Sequence, residues 1–446
     1  MTGGSPGGSA GGGRDRGPLV VKFGGSAFAD LDGFARVARY TARRAAEDER
    51  PVVVVVSAMS GTTGRLQQTL DVLAGDPPAP VAAMLLTSGE TVSVALLAAA
   101  LDAEGVPALP LTAAGTGLLG EGPADRARLV RADPAVLLAG LEDSPVLVVP
   151  GGQAVDAGGR TVMLGRNSSD LSAAAMAAAL GAGTCVLFSD VPGVCTADPY
   201  VVPAARTLAE ISYEGVRRMS RHGAKVVHES AVDWAERGGV RLHCRPFPWS
   251  GGGGGQGGEG GGGGPGTVVG AGPEAAAVVA HKGSEVWRFR SGPERRAAAR
   301  GLLSDGLRTT EFDSASGPYL VVPAGVRGTA AHLGAGRRHD DLCLITTVHA
   351  DGRAEHVLVS RADADAEARR CHALLYPDPD PAGTPGAPGT PDQAAPAPAK
   401  ARSPHSDVLF GSRPAPAAAA AEAAGEQRWP AAPPRRHPGG RGSAGV

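Results

Sequence analysis

The chain has 446 residues, and its 43 lysine and arginine residues nearly balance 45 aspartate and glutamate residues, giving a formal net charge of −2. This balance provides no basic field for a nucleic acid or an anionic membrane, so we expect neither as a partner. Thirteen of its 67 glycines lie in 251–266 and fifteen of its 37 prolines lie in 377–446. Such stretches bury too little apolar surface to offset the entropy of ordering their backbone. We therefore expect disorder at 1–17 and 377–446, folded blocks at 18–250 and 267–376, and a glycine-rich linker between them.

The cysteines and the apolar segments indicate a cytoplasmic protein. Five cysteines occur without a Cys-x-x-Cys pair, and the N-terminal residues include no apolar run typical of a secretory signal. This cysteine usage is typical of reduced thiols, and it predicts no zinc site. The longest apolar stretch, Val81–Leu101, is interrupted by Glu90 and by four serine and threonine residues, which favours an amphipathic helix over a membrane span.

Strand and helix patterns alternate along the first block. Apolar runs predict strands at 19–23, 52–56, 106–111, 146–149 and 184–188, and helical spacing or composition predicts helices at 31–47, 63–74, 89–104, 173–180, 213–221 and 229–237. This alternation predicts an α/β domain with a mostly parallel sheet between helices. Ligands of such sheets bind beyond the carboxyl ends of the strands, so the residues that follow each strand are the functional candidates.

Small and polar residues stand at these strand ends. None of the turns is a P-loop or a G-x-G-x-x-G turn, but small residues allow backbone N–H groups to approach an anion. The chain has four lysines, and two of them, Lys22 and Lys225, lie in glycine-flanked turns. A compact ammonium fits between phosphate groups where a planar guanidinium does not. The pattern therefore points to a phosphate-containing ligand.

The motifs of the first block resemble those of the aspartate kinases, which have the amino acid kinase fold. The resemblance covers about 18–250 and rests on short motifs in the same order: Lys22-Phe23-Gly24-Gly25-Ser26, Val56-Ser57-Ala58-Met59-Ser60-Gly61, Ser88-Gly89-Glu90, Leu164-Gly165-Arg166 with Ser169-Asp170, Asp190-Val191-Pro192-Gly193-Val194, Thr196-Ala197-Asp198-Pro199, Ile211-Ser212-Tyr213-Glu214 and Gly223-Ala224-Lys225-Val226-Val227-His228. It implies ATP-dependent phosphorylation of the side-chain carboxylate of L-aspartate to 4-phospho-L-aspartate.

The resemblance also implies roles for individual residues. Lys22, Asp170 and Arg166 would be catalytic: Lys22 would lie against the transferring phosphoryl group, and Asp170 would orient the cationic groups or help to hold the metal. A base is not required, since a carboxylate substrate is already ionised at pH 7. Gly24, Gly25 and Ser26 would donate hydrogen bonds to the phosphates.

The expected binding residues divide into two groups. The amino acid would be bound by Ser57, Glu90, Arg166 and Ser169, with Glu90 suited to its α-ammonium and Arg166 to its α-carboxylate. The nucleotide would be bound by Lys22 and the Gly24-Gly25-Ser26 turn together with Ser189, Asp190, Val194, Asp198 and Lys225. Mg²⁺ would be held mainly by the phosphates of ATP, without a dedicated protein site.

Each residue also has a purely structural interpretation. Lys22 could be a solvated charge at a strand end, Glu90 could favour a helix dipole, and Asp170 could be a helix N-cap. Asp198-Pro199 could be a simple turn, and we interpret His228 as structural.

Several positions depart from the pattern of aspartate kinases. Asn167 and Ser168 replace two glycines, Cys195 replaces a tyrosine, Tyr200 replaces an arginine, and Glu229 follows His228 where proline is usual. Two alternatives therefore stay open: a related kinase with a different small carboxylate acceptor, and a non-catalytic nucleotide-binding regulatory homologue. In the second block, alternating strands and helices predict a smaller α+β region, which the resemblance suggests is a degenerate ACT-like pair in a homodimer.

Overall fold

The structure is a computed structural model, and it describes residues 17–165, 168–224, 227–247, 266–324, 326 and 328–377. The predicted site residues Arg166 and Lys225 lie outside the described residues. Most of the predicted N-terminal segment, linker and tail also lies outside them.

The first block alternates strands and helices, as its sequence predicts. In chain order its elements are β1 (Leu19–Phe23), α1 (Leu31–Asp48), β2 (Val52–Val56), α2 (Thr62–Leu73), α3 (Ala79–Ala103), β3 (Ala108–Pro110), β4 (Leu118–Glu121), β5 (Arg128–Ala132), α4 (Ala135–Asp143), β6 (Val146–Pro150), β7 (Gln153–Val155), β8 (Thr161–Met163), α5 (Ser169–Ala179), β9 (Thr184–Ser189), β10 (Glu210–Ser212), α6 (Tyr213–Arg221), α7 (Glu229–Gly238), β11 (Arg241–Pro246) and β12 (Thr267–Gly270).

An eight-stranded sheet organises this block, in the order β10-β12-β11-β9-β1-β2-β6-β3. The six strands from β11 to β3 run parallel, and β12 is antiparallel to β11. This mostly parallel α/β sheet confirms the predicted fold class. Strand β12 joins the large sheet, although the sequence places residue 267 at the start of the second block. A smaller sheet, β5-β4-β7-β8, extends from the same block.

The two faces of the central strands are covered by different helices. All five valines of β2 are fully buried, as expected for a strand with helices on both sides. One face of the sheet packs with the alanines of α5 and with α7, and the other packs with α1 and α3. Because side chains alternate along a strand, Lys22 shares the α5 face with Val20. The sequence of β1 therefore directs the lysine toward the N-terminal end of α5.

Helix α3 is longer than predicted, beginning at Ala79 instead of residue 89. Among the described residues, α3 is the one helix that is long and apolar enough to cross a membrane. Helices buried in a protein core have the same length and composition. Val94, Leu97 and Leu101 are buried in the same core cluster as Val146 and Val148 of β6. The helix therefore carries Glu90 along the flank of the sheet.

The second block folds into two antiparallel sheets. Its elements are β13 (Ala277–Ala280), β14 (Ser284–Arg288), α8 (Gly292–Ser304), β15 (Thr310–Ser314), β16 (Gly317–Pro323), α9 (Ala330–Leu333), β17 (Arg337–His339), β18 (Leu342–Val348), β19 (Ala354–Ser360) and α10 (Ala364–Leu375). The sheets are ordered β13-β18-β19 and β15-β16-β14-β17. Helix α10 packs with the first and α8 with the second, which gives the predicted α+β region. The ACT-like assignment of this region stays a prediction.

Candidate functional site

The candidate site lies at the carboxyl edge of the large sheet, where β1, β2, β6 and β9 end together. Backbone hydrogen bonds continue past the strand ends: the Gly24 N–H donates to Phe188 at 3.2 Å, and the Ser57 N–H donates to Phe23 at 3.1 Å. The Gly151 N–H likewise donates to the carbonyl of Val56. The turns after the four strands are therefore adjacent, as parallel pairing requires.

An ion pair between Lys22 and Asp170 forms the centre of this edge. Lys22 Nζ lies 2.7 Å from Asp170 Oδ1, and the two side chains are only 12% and 14% exposed. Asp170 stands in the first turn of α5, where the helix dipole favours a negative charge. Two residues that the sequence assigns to catalysis are thus brought together in a mostly dry location, where their charges are weakly screened.

The turn after β1 has room only for small residues. A Cβ on Gly24 would lie 3.5 Å from Lys22 Nζ, and one on Gly25 would lie 2.9 Å from the carbonyl oxygen of Ala58. Gly25 begins a short 3-10 helix, Gly25–Phe28, which includes Ser26. A side chain at Gly25 would therefore push apart the turns after β1 and β2. Of the three predicted phosphate-contacting residues, Gly24 lies directly beside the Lys22 ammonium.

The predicted amino-acid side of the site is assembled from three elements. Ser57 Oγ lies 3.0 Å from Ser169 Oγ, and the Ala58 N–H donates to Glu90 Oε1 at 3.2 Å. Burial raises the pKa of Glu90 to about 7, although the hydrogen bond from Ala58 opposes this shift. A carboxyl group in this state becomes fully ionised when a cation binds beside it.

The contacts close into a ring around the edge of the sheet. Asp170 joins Lys22 to α5, and the neighbouring Ser169 joins α5 to Ser57. Ala58 then links Glu90 of α3 to the turn that contains Gly25. Residues far apart in the sequence therefore surround one small area that contains a cation, hydroxyl groups and carboxylates.

The residues predicted for the nucleotide follow β9 and are more open. Ser189 hydrogen-bonds the backbone of Val191, and Asp190 and Asp198 are exposed. Tyr200 bridges the two aspartates: its hydroxyl donates to the carbonyl of Asp190 at 3.3 Å, and its N–H donates to Asp198 Oδ1 at 2.9 Å. These residues lie together on the side of the sheet next to β1.

Val194 is placed differently from the other predicted nucleotide residues. Its side chain is fully buried in the core, and its N–H donates to Thr267 Oγ1 at 2.8 Å. Its carbonyl oxygen accepts from the Leu208 N–H. Val194 therefore fixes the loop after β9 to the core through its backbone and its buried side chain. Its assignment to the nucleotide stays a prediction.

Two residues that the sequence analysis did not assign also shape the site. A Cβ on Gly151 would lie 2.6 Å from the Cβ of Ser169, so only glycine allows α5 to approach the end of β6. The Gly152 N–H donates to Ser172 Oγ at 3.0 Å. The signal was present in the sequence, because Pro150-Gly151-Gly152 ends a buried strand as Gly24-Gly25 does.

His228 has the structural role expected from the sequence. Its side chain caps the N-terminus of α7 by accepting from the Ser230 N–H at 3.3 Å. Burial lowers the pKa of His228, and the nearby Asp170 carboxylate partly opposes this shift. The capped end of α7 therefore lies close to the Lys22–Asp170 pair.

A dedicated metal site is not visible in the described part of the chain. No group of three or more histidine, cysteine, aspartate and glutamate side chains among those residues could hold a metal ion.

Residues 17–246 match the Amino acid kinase family. An aspartokinase of Thermus thermophilus is 39% identical over 227 residues, which are 51% of this chain and 56% of the relative. An aspartokinase of Pseudomonas aeruginosa is 39% identical over 225 residues, which are 50% of this chain and 54% of the relative. The chain thus spans little more than half the length of these relatives.

Solved structures with a similar fold include Escherichia coli aspartokinase III. Its complex with aspartate and ADP (R-state) has a TM-score of 0.62 and 20% identity, covering 80% of this chain and all of that chain. Its complex with lysine and aspartate (T-state) has a TM-score of 0.55 at 20% identity, covering 80% of this chain and 99% of that one. At this identity the likeness shows the fold alone. The sequence match over residues 17–246, more than half of the chain, shows that this protein belongs to the amino acid kinase family.

Proposed function

We propose that the chain transfers the γ-phosphoryl group of ATP to the side-chain carboxylate of L-aspartate, giving 4-phospho-L-aspartate and ADP. The observation that carries the proposal is the mostly buried Lys22–Asp170 ion pair beside Gly24. The names of the relatives, aspartokinases at 39% identity, support the choice of acceptor.

Lys22 supplies the positive charge that the reaction needs. In the transfer, a carboxylate oxygen of aspartate bonds to the γ-phosphorus, and the bond to the β–γ bridging oxygen breaks to release ADP. The protein contributes mainly position and charge to such a reaction. The Lys22 ammonium neutralises charge on the phosphoryl oxygens, and Asp170 holds that ammonium in place.

The turn after β1 supplies hydrogen-bond donors. A short 3-10 helix begins at Gly25, so the turn after β1 ends at the N-terminus of this helix. Backbone N–H groups in such turns favour phosphate oxygens. Because Gly24 has no side chain, a phosphate can approach both its backbone and the Lys22 ammonium. Ser26 adds a hydroxyl group nearby. These groups act on the transferring phosphoryl as fixed dipoles.

Glu90 and Arg166 give the site its preference for an amino acid. An α-ammonium beside Glu90 favours the ionised carboxylate and is bound by it, while a guanidinium at Arg166 pairs with the α-carboxylate. Ser57 and Ser169 exchange part of their mutual hydrogen bond for contacts with the substrate. We assign these four residues to the amino acid.

The nucleotide lies toward β9 and is bound by Ser189, Asp190, Asp198 and Lys225, with Mg²⁺ on its phosphates, while the buried Val194 supports the loop that carries Asp190 and Asp198. Mg²⁺ supplies charge neutralisation at the β- and γ-phosphates when bound.

We further propose that the protein is cytoplasmic, that its second block is a degenerate ACT-like pair, and that the chain forms a homodimer. Free cysteines, five among the described residues, agree with a reducing compartment.

The experiment that tests this proposal is acyl-phosphate trapping. The full chain is incubated with ATP, Mg²⁺ and hydroxylamine, with L-aspartate, L-glutamate or other small carboxylic acids as acceptors. We expect a hydroxamate with L-aspartate and little with the others. A lack of hydroxamate with every acceptor, despite ADP or ATP binding measured by calorimetry, would favour the non-catalytic alternative.

The loop before α5 supports a second candidate acceptor. Ser168 stands where aspartate kinases usually have glycine. It is 1% exposed, and its hydroxyl donates to the carbonyl of Gly165 at 2.6 Å. A serine fixed in this way limits how closely a substrate approaches the loop backbone. A hydroxamate formed with another small carboxylate, but not with aspartate, would identify this alternative.

A further inference from the structure

A buried glutamine lies next to the predicted amino-acid side of the site. Gln153 is the first residue of β7, directly after Gly151 and Gly152, and it is only 2% exposed. Burying a primary amide costs free energy unless its polar groups find hydrogen-bond partners. The partner of this amide therefore shows what the side chain holds in place.

The amide of Gln153 donates to helix α3. Its Nε2 donates to the carbonyl oxygen of Thr87 at 3.0 Å, in a buried contact between residues 66 positions apart. Thr87 is itself only 6% exposed. A carbonyl oxygen has two lone pairs, so that of Thr87 can accept from Gln153 and from an N–H group of its own helix. Because Thr87 lies about one helical turn before Glu90, the contact fixes the turn of α3 that carries Glu90.

Close packing brings the same turn of α3 against the turn after β2. A Cβ on Gly89 would lie 2.9 Å from the Cβ of Ala58 and 3.3 Å from Cγ2 of Thr62. The helix therefore approaches this turn as closely as a glycine allows. The approach lets Glu90 Oε1 accept from the Ala58 N–H at 3.2 Å. Gly89 permits this contact, and the hydrogen bond from Gln153 ties the same part of the helix to β7.

The residues before Gln153 are attached to helix α5. The Gly152 N–H donates to Ser172 Oγ at 3.0 Å, and a Cβ on Gly151 would lie 2.6 Å from the Cβ of Ser169. The start of β7 therefore connects α5, which carries Ser169, to α3, which carries Glu90. Both helices supply residues to the predicted amino-acid side, so this connection sets how far apart those residues lie.

We propose that Gln153 is a positioning residue for the amino-acid substrate: through the Thr87 carbonyl it holds Glu90 where that carboxylate meets the α-ammonium group. The inference deepens the proposed function, on which it rests for the role of Glu90. Gln153 acts through the backbone of α3, without a contact of its own to the substrate. Loss of its N–H donor releases this turn of α3 from β7. Aspartate binding then weakens, while the nucleotide side, which follows β9, is unchanged.

The first test compares the full chain with Gln153→Met and Gln153→Asn. Methionine nearly matches glutamine in volume, so Gln153→Met removes the donor without opening a cavity. Asparagine keeps the amide but is one methylene shorter, so its N–H group falls short of the Thr87 carbonyl. In hydroxamate assays we expect the KM for aspartate to rise about three- to tenfold in both variants, with a smaller change in kcat. The Kd for ADP should stay within about twofold of the wild type.

The matched control is Gln67→Met in α2. Gln67 donates to Asp71 at 2.6 Å within its own helix, so this variant makes the same chemical change away from the Thr87 contact. The control should retain the wild-type KM for aspartate. Circular dichroism checks the fold, and Gln153→Asn carries the test if Gln153→Met does not fold. A wild-type KM in either Gln153 variant, or an equal rise in the KM for aspartate and the Kd for ADP, would overturn the proposal.

A stability measurement tests the position of Glu90 without any substrate. Burial raises the pKa of Glu90 to about 7, so Glu90→Gln changes the free energy of unfolding by different amounts at pH 6 and pH 8. In the Gln153→Met and Gln153→Asn backgrounds water reaches Glu90 more easily. The difference between the two pH values should therefore shrink to about half or less of that in the wild-type background. An equal difference in all three backgrounds would show that Gln153 does not hold Glu90.

The two measurements separate failure of this inference from failure of the proposed function. If the wild type forms no hydroxamate with aspartate but the pH difference shrinks in the Gln153 variants, the proposed function fails and the hold on Glu90 stands. If the wild type forms the hydroxamate and neither the KM for aspartate nor the pH difference changes, the proposed function stands and the role of Gln153 fails.

Discussion

Lys22 Nζ and Asp170 Oδ1 lie 2.7 Å apart, and they join the end of the central strand β1 to the first turn of α5. Each charge is largely shielded from water, so neither side chain is well accommodated without the other. The pair therefore holds a cation at the sheet edge before any substrate arrives. This pre-organisation is what a phosphoryl-transfer site requires.

Replacing Lys22 should remove activity without unfolding the protein. In Lys22→Ala, turnover should fall by at least about 100-fold, because no other described cation lies beside Asp170 and Gly24 to neutralise the phosphoryl oxygens. Hydroxamate formation measures turnover, and circular dichroism checks the fold. The double variant Lys22→Ala/Asp170→Asn should be more stable than Lys22→Ala, since it removes the unpaired carboxylate. Near-normal turnover of Lys22→Ala would contradict the role given to this lysine.

The raised pKa of Glu90 predicts how substrate binding depends on pH. Burial raises this pKa to about 7, so a growing fraction of the free protein carries a neutral Glu90 as the pH falls below that value. Only the ionised form attracts an α-ammonium, so kcat/KM for aspartate should fall as the pH is lowered from 8 to 6. A pH profile checks this, and a flat profile over that range would refute it.

The raised pKa of Glu90 also makes the free energy of unfolding depend on pH, in a direction that follows from the shift. Because its pKa is higher in the folded state than in the unfolded state, the folded protein binds the proton more tightly between about pH 4.5 and 7. This contribution is fully present at low pH and is lost as the pH rises through 7. In Glu90→Gln the free energy of unfolding should therefore increase relative to the wild type at pH 8, while aspartate binding weakens. Urea denaturation at pH 6 and pH 8 measures the difference.

Local sequence patterns were sufficient to predict the strands at the centre of the large sheet. The valines of β2 predict a strand covered on both faces, and all five are fully buried. The start of α3 was predicted ten residues too late, although Pro80 in its first turn is a common signal of a helix start. Strands β7 and β8 have three residues each, too few to show a hydrophobic period.

The candidate site was predictable as a set of residues but not as a set of contacts. Glycine and polar residues at the ends of β1 and β2 predict Lys22 and Ser57 as neighbours of a ligand, and the resemblance to aspartate kinases adds Glu90. The hydrogen bond between Ser57 and Ser169 depends on how α5 approaches the sheet, which is set by the missing side chain of Gly151. Long-range packing of this kind leaves no periodic pattern in a single sequence.

A second pH effect is expected from His281, with the opposite sign. Burial, together with the neighbouring His356 and His222, lowers the pKa of His281 to about 4. Between about pH 6.5 and 4 the unfolded chain binds a proton that the folded chain excludes, so stability falls as the pH falls. Denaturation of the wild type and of His281→Gln at pH 7.5 and 5 tests this. The wild type should lose more stability than the variant, and equal losses would contradict the prediction.

The glycine at position 25 gives a test of the site's close packing. A methyl group there would lie 2.9 Å from the carbonyl oxygen of Ala58, so Gly25→Ala should separate the turns after β1 and β2. We expect activity to fall at least about tenfold and the free energy of unfolding to fall by about 1–3 kcal/mol. Gly64→Ala is the matched control, because a methyl group at Gly64 in α2 meets no atom within 4 Å. That control should retain activity and gain about 0.5–1 kcal/mol, since alanine loses less backbone entropy than glycine in a helix. Equal activities of the two variants, measured by hydroxamate formation, would show that the turns tolerate a wider spacing than the proposed phosphate contacts allow.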